Sequence, residues 1–221
     1  AYESTDRTTA INKFSDATIY GTFDGSGYTL DYEGISARTR IFYRIGAGGA
    51  VQNVRAENLT LGAASETSTV PYIGFIGRME ENASVDGIHL KQVELKDACQ
   101  YAGCVVAYAR SAHIKNCTVA DVTMSSGRYA LELHIGGILG CNESGTVLSI
   151  QNCFVRGLHM TLSQGNSVRS AGGILGFGYV QSDIQYPIIS SCYVEGEIST
   201  NFSNCGGIAG QLNGALEGVY S

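Results

Sequence analysis

The sequence predicts an all-β chain wound as a parallel β-helix of about six coils, each of roughly 33 residues. Three observations predict it: a glycine-rich phrase recurs at near-constant spacing, a bend-forming phrase follows each copy, and apolar residues alternate beyond both. No stretch sustains apolar residues at i, i+3, i+4 and i+7, so ankyrin and leucine-rich units, which share the period but carry helices, do not fit.

The first phrase reads Ile73-Gly74-Phe75-Ile76-Gly77, Gly103-Cys104-Val105-Val106-Ala107, Gly136-Gly137-Ile138-Leu139-Gly140, Gly172-Gly173-Ile174-Leu175-Gly176 and Gly206-Gly207-Ile208-Ala209-Gly210. A degenerate copy, Arg40-Ile41-Phe42-Tyr43, precedes them. Its last positions, 43, 77, 107, 140, 176 and 210, lie 34, 30, 33, 36 and 34 residues apart, the variation expected of loops inserted into a repeating unit. The second phrase begins at Val51, Val85, Ile114, Ile150, Ile189 and Leu216. Its third position is Asn53, Gly87, Asn116, Asn152, Ser191 or Gly218, residues suited to a sharp bend because Gly and Asn accept left-handed dihedrals cheaply. Its fourth is always Val, Ile or Cys, and Ala56, Leu90, Val119, Val155 and Val194 stand two residues on. The pairs Leu59/Leu61, Val93/Leu95, Val122/Met124 and Leu158/Met160 continue the alternation. Each unit thus holds about three short strands that bury their apolar face only by stacking on neighbouring units. At the strand spacing of ~4.8 Å, six coils make a column about 25–30 Å long.

Composition agrees. Of 221 residues 29 are Gly, nearly twice the usual share of about 7%. Only 2 are Pro, 44% are hydrophobic and 15% charged, which excludes collagen, Pro-rich linkers and disorder. No apolar run approaches the ~18 residues of a membrane-spanning helix. Residues 1–14 lack the apolar core of a signal peptide. A net charge of −6 argues against a nucleic-acid partner. We read residues 1–221 as one solenoid domain, with 1–17 a lead-in and 18–221 the repeats. The start at Ala1 and the stop within the second phrase, leaving the last coil without a polar cap, fit a fragment of a larger protein.

Seven cysteines raise the question of disulfides. Cys117, Cys153 and Cys192 share the inward column of Val54, Ile88 and Val219, where a thiol acts as a small hydrophobe. Cys104 aligns with Gly74 and Gly137, while Cys141 and Cys205 fall in other phases; a local Cys99–Cys104 bridge stays an alternative. No C-x-x-C pairs mark a zinc site, so no metal or cofactor is expected. His89, His113, His134 and His159 fall in different phases, which predicts exposed or loop histidines and no catalytic cluster. The carboxylates Asp24, Asp86, Asp121, Glu195 and Glu197 are the residues from which a glycosidic acid/base pair could be drawn. Glu195 and Glu197 could share a face, but Arg156 and Leu158 hold those slots in the preceding repeat, which reads better as a solvated strand.

The slot after the inward Val/Ile/Cys column holds Arg55, His89, Thr118, Phe154, Tyr193 and Tyr220. Pointing outward, Phe154, Tyr193 and Tyr220 make an aromatic ladder, the candidate binding residues, since rings stack on sugar faces or anchor protein partners. The competing reading is that the ladder only stabilises the sheet. Five N-x-[ST] sequons, among them Asn58-Leu59-Thr60 and Asn201-Phe202-Ser203, carry no decision without a host.

Gly21-Thr22-Phe23-Asp24-Gly25-Ser26-Gly27-Tyr28-Thr29-Leu30, then Ile41-Phe42 and Gly48-Gly49-Ala50-Val51-Gln52-Asn53-Val54, resembles the opening of bacterial GLUG-motif repeat proteins. The later G-G-I-x-G and x-N-C-x-V-x-G phrases are similar to their internal repeats, over residues 18–221. Tyr43 and Ala107 depart from that pattern, standing where it has Gly. The resemblance implies a right-handed, pectin-lyase-like β-helix in an exported, surface-attached protein, with adhesin-like members among its relatives. The repeats also accompany IgA-specific metallopeptidases, whose protease domain has no counterpart here. No catalytic residue is carried over, because the shared motif is structural. The expected function is a non-enzymatic, extracellular stalk or adhesive segment of a bacterial surface protein. Loops such as 178–186 and 62–69 would carry recognition of a host or microbial glycan or surface protein. The alternative is a carbohydrate-binding or polysaccharide-cleaving β-helix.

Overall fold

A computed structural model describes residues 17–35, 38–62, 71–98, 100–126, 133–142, 148–162, 169–178, 188–213 and 215–221. The two loops expected to carry recognition, the first sixteen residues and Cys99 lie outside them. The described residues form strands and turns without a helix. Their strands pair in parallel into two eleven-stranded sheets that curl around one apolar interior, a parallel β-helix.

The ladder sheet carries the second phrase and the alternating residues beyond it. Val51, Val85, Ile114, Ile150, Ile189 and Leu216 lie in direct register from coil to coil. Two residues on, Asn53, Gly87, Asn116, Asn152, Ser191 and Gly218 all take positive φ, between 52° and 67°. That left-handed residue turns the chain between two short strand segments without breaking the coil. On the outside the bend builds its own ladder. Asn152 Nδ2 donates to Asn116 Oδ1 at 2.7 Å, and Asn116 Nδ2 to Asp86 Oδ1 at 2.7 Å. A second left-handed column lies at Asn58, Gln92, Asp121 and Gly157, φ 54–59°. Between and beyond the bends, Ala56, Leu90, Val119, Val155 and Val194 stack inward, as do Leu59, Val93, Val122 and Leu158.

The glycine sheet carries the first phrase. Phe42, Ile76, Val106, Leu139, Leu175 and Ala209 are in register, so Tyr43 and Ala107 hold the glycine slot without disturbing their coils. This sheet forks. Tyr72–Met79 is one straight strand, pairing first with Tyr101–Gly103 and then with Val106–Ala109. From that coil onward the phrase splits into two strands around a bend at Cys104, Gly137, Gly173 or Gly207. The split adds a residue, because Ile73 opposes Ala102 whereas Ile76 opposes Val106. Cys104 therefore shares its slot with Gly137 but not with Gly74, which lies beside Gly103, contrary to the alignment of phrases.

The fork sets the width of the core. Where the strand is straight the interior is broad and Phe23, Phe42 and Phe75 fill it edge to face, with centroids 5.1 and 5.4 Å apart. Where it bends, the glycine corner moves inward against the ladder sheet, and Ile138, Ile174 and Ile208 fill what remains. A Cβ on Gly137 would collide with the carbonyl oxygen of Gly173 in the next coil and come within 3.0 Å of Val155 Cγ2. Gly137→Ala should therefore cost at least about 3 kcal/mol in urea unfolding, the upper end of core overpacking. Asn152→Ala should cost about 1–2 kcal/mol for its left-handed dihedral, and Asn152→Gly less than Asn152→Ala. Equal losses for the two Asn152 variants would show that the bend does not depend on its dihedral.

Candidate functional site

The aromatic slot forms a continuous column. Arg55, His89, Thr118, Phe154, Tyr193 and Tyr220 are successive register partners. Along it the His89 ring nitrogen and the Thr118 hydroxyl hydrogen-bond at 2.8 Å. Phe154 and Tyr193 are half-buried and Tyr220 is 69% exposed. Tyr193 and Tyr220 join Leu158, Glu195 and Ile198 in lining a cleft of about 620 Å³ on the last coil. The Tyr193 hydroxyl donates to Glu195 Oε2 at 3.4 Å. Phe154 sits one coil back and outside that lining.

Among the candidate carboxylates Asp24 and Asp86 share one column, two coils apart with Gln52 between them, while Asp121 and the Glu195/Glu197 pair lie elsewhere. Asp24 accepts from Gln52 at 2.8 Å, from the Ser26 amide at 2.7 Å and from Asn53 at 3.3 Å. These bonds, Gln52 first, hold its carboxyl below the usual carboxylate range. Asp86 accepts from Asn116 and pairs with Lys115 at 3.1 Å, and Asp121 is a bend residue. Glu197 opposes His159 and not Leu158, because one residue fewer separates Val194 from Gly196 than Val155 from Leu158. Among the described residues no three His, Cys, Asp or Glu side chains gather as a metal site.

The cysteine column stands as the phrases indicate. Cys117, Cys153 and Cys192 are buried and unbridged, each donating to the carbonyl two residues earlier, at 3.2, 3.3 and 3.2 Å. Hydrogen bonding to the thiol below, then burial, pushes Cys153 and Cys192 well above the ordinary thiol range. Burial alone lifts Cys104 to about 12. Such thiols are poor nucleophiles.

One constellation departs from the expectation of exposed histidines. His134 is buried, in register between Tyr101 and Ser170. Its ring stacks on Tyr101 at 5.8 Å and meets Phe177 at 4.6 Å, while Nδ1 and the Ser170 hydroxyl hydrogen-bond at 2.5 Å. Tyr101 also meets Tyr72 at 5.8 Å and Tyr108 at 5.0 Å. This seam joins two columns that flank the glycine phrase. Tyr101, His134, Ser170 and Asn204 stand two residues before the glycine pairs of the register, and Tyr108, Cys141, Phe177 and Gln211 one residue after the last slot. The phase that reveals the phrase would have located both columns.

Comparison with protein-family models, curated proteins and solved structures finds no match. The seam can be probed through its titration. Desolvation lowers the His134 pKa from 6.5 to about 4, so the folded protein holds the ring neutral where the unfolded chain protonates it. The associated stability is complete above pH 6.5 and is lost as pH falls towards 4, by up to about 3 kcal/mol. The His134→Phe variant should lose less stability than the parent over that interval in urea unfolding. Parallel pH profiles would show that His134 is not buried neutral.

Proposed function

We propose that this chain is a non-catalytic β-solenoid segment of an extracellular bacterial surface protein, acting as a stalk that displays binding surfaces. The observation that carries the reading is the repetition within the ladder sheet, in which one bend and one inward column recur through six coils. A scaffold of this kind extends by adding units, and its length is set by coil number rather than by a globular core. The engagement of Asp24 by Gln52 and Asn53, and of Asp86 by Asn116 and Lys115, supports the non-catalytic part, since a glycosidic acid/base pair needs both carboxyl groups turned to the sugar. Carbohydrate binding on the same scaffold is the second reading, favoured by the cleft that Tyr193 and Tyr220 share.

Incubation with a panel of plant, host and microbial polysaccharides should release neither reducing ends nor unsaturated sugars. Any product above the no-protein control overturns the non-catalytic reading. On a glycan array, binding through the ladder should fall roughly tenfold or more in Phe154→Ala/Tyr193→Ala at unchanged melting temperature. Unchanged binding would leave the ladder as sheet stabilisation alone.

A further inference from the structure

The column one residue past the glycine phrase carries two arginines behind Thr18, whose hydroxyl accepts from Arg44 Nε at 3.3 Å. Arg44 and Arg78 are register partners, so strand pairing stacks their guanidinium groups on adjacent rungs. Arg110, at the corner of the following coil, completes a row. The three line an open cleft of about 520 Å³ with Tyr20, Glu80 and Glu81. That volume is within the range of small-ligand sites.

The geometry of each member bears on what the cleft can take. Tyr20 is 71% exposed, and its ring lies over Gly46, where a Cβ would come within 2.6 Å of Tyr20 Cδ1. The glycine seats the ring and leaves its outer face open. Glu80 forms ion pairs with Arg78 at 3.0 Å and with Arg44 at 3.5 Å, and Glu81 lies 4.0 Å from Arg110. Arg44 and Arg78 share the one carboxylate Glu80, which among the described residues leaves a positive charge on that pair, in a chain whose net charge is −6. Arg78 is further held by the Tyr108 ring, 5.5 Å below it.

We propose that this corner binds a mono- or disaccharide carrying one anionic group. Tyr20 stacks on the apolar face of a sugar ring. The surplus guanidinium charge takes the anion in a two-pronged hydrogen bond. Glu80 and Glu81 accept from sugar hydroxyls, which favours a saccharide over a simple anion, because a bare sulfate or phosphate offers the two carboxylates no donor. The same carboxylates disfavour the polyanionic backbone of a nucleic acid. The inference rests on the display reading only in needing the corner to face solvent, and failure to bind sugar here leaves the polysaccharide-release result untouched.

Calorimetric titration of the 221-residue chain with N-acetylneuraminic acid, glucuronic acid and glucose 6-sulfate, beside the methyl ester of the first and glucose, tests it. At least one charged sugar should bind, and roughly tenfold tighter than its neutral counterpart. The comparison of glucuronic acid with glucose 6-sulfate tells carboxylate from sulfate. Tyr20→Ala and Arg78→Gln should each weaken binding roughly tenfold, and Arg78→Lys should not restore it, because the planar fork is lost. Tyr20→Ala should leave thermal unfolding unchanged, which separates loss of the platform from loss of the fold. Equal affinity for charged and neutral sugars, parental affinity in Tyr20→Ala, displacement of the sugar by acetate or sulfate at equal concentration, or no binding of any charged sugar at about 10 mM would each overturn the proposal.

Discussion

Every residue of a parallel β-helix lies about 4.8 Å from its counterpart in the next coil, so each column must be filled by groups that tolerate their own kind. Apolar columns meet the condition without cost, and Val51, Val85, Ile114, Ile150 and Ile189 form one. Amides meet it by linking head to tail, as Asn116 and Asn152 do. Thiols meet it as small apolar groups with a local acceptor. Charges do not. Where Arg44 and Arg78 stack, Glu80 bridges both, and Lys115 is answered by Asp86. The low charged fraction, 15%, is the compositional trace of that constraint.

The same stacking explains the glycines. The bend columns use residues that accept positive φ, but at the glycine pair the demand is space. Gly137 and Gly173 pack against the carbonyl of the next coil and against Val155 and Val194. At Gly137 and Gly173 that contact leaves no room for a side chain, whereas the first split coil still seats the small Cys104 thiol at the corner. In the unsplit coil Phe75 follows Gly74 at the corner, and its ring packs on Phe42, which belongs to the column of Ile76, Val106 and Leu139.

Much of this could be read from the sequence because the columns repeat residue types. The inward ladder, the bend at Asn53 through Gly218, the cysteine column and the aromatic slot all appear at constant offsets within the phrases. What could not be read depends on single insertions or on contact between separate strands. The second bend has Asn58, Gln92, Asp121 and Gly157, four residue types with no shared signature. The extra residue at Cys104 and the missing one before Gly196 each shift the register by one, and spacing alone does not say where in a unit the change falls. His134 is polar by type, and its burial results from Tyr101 and Phe177 closing over it from two different coils.

Register also bears on where recognition can arise. A column that repeats one chemistry presents a uniform stripe, good for holding coils together and poor for distinguishing one ligand from another. Selectivity needs a break in the column. The column Arg44, Arg78, Tyr108, Cys141, Phe177, Gln211 changes character along the molecule, from cationic through aromatic to amide. Its cationic end lies beside the fork, where Tyr72–Met79 is still one strand and the corner turns carry Gly46, Glu80 and Arg110. There the stacking constraint places two guanidiniums side by side and the turns supply unlike neighbours, a platform ring and two acceptors. A repeat that elsewhere yields stripes yields, at this one corner, a set of different groups facing one volume.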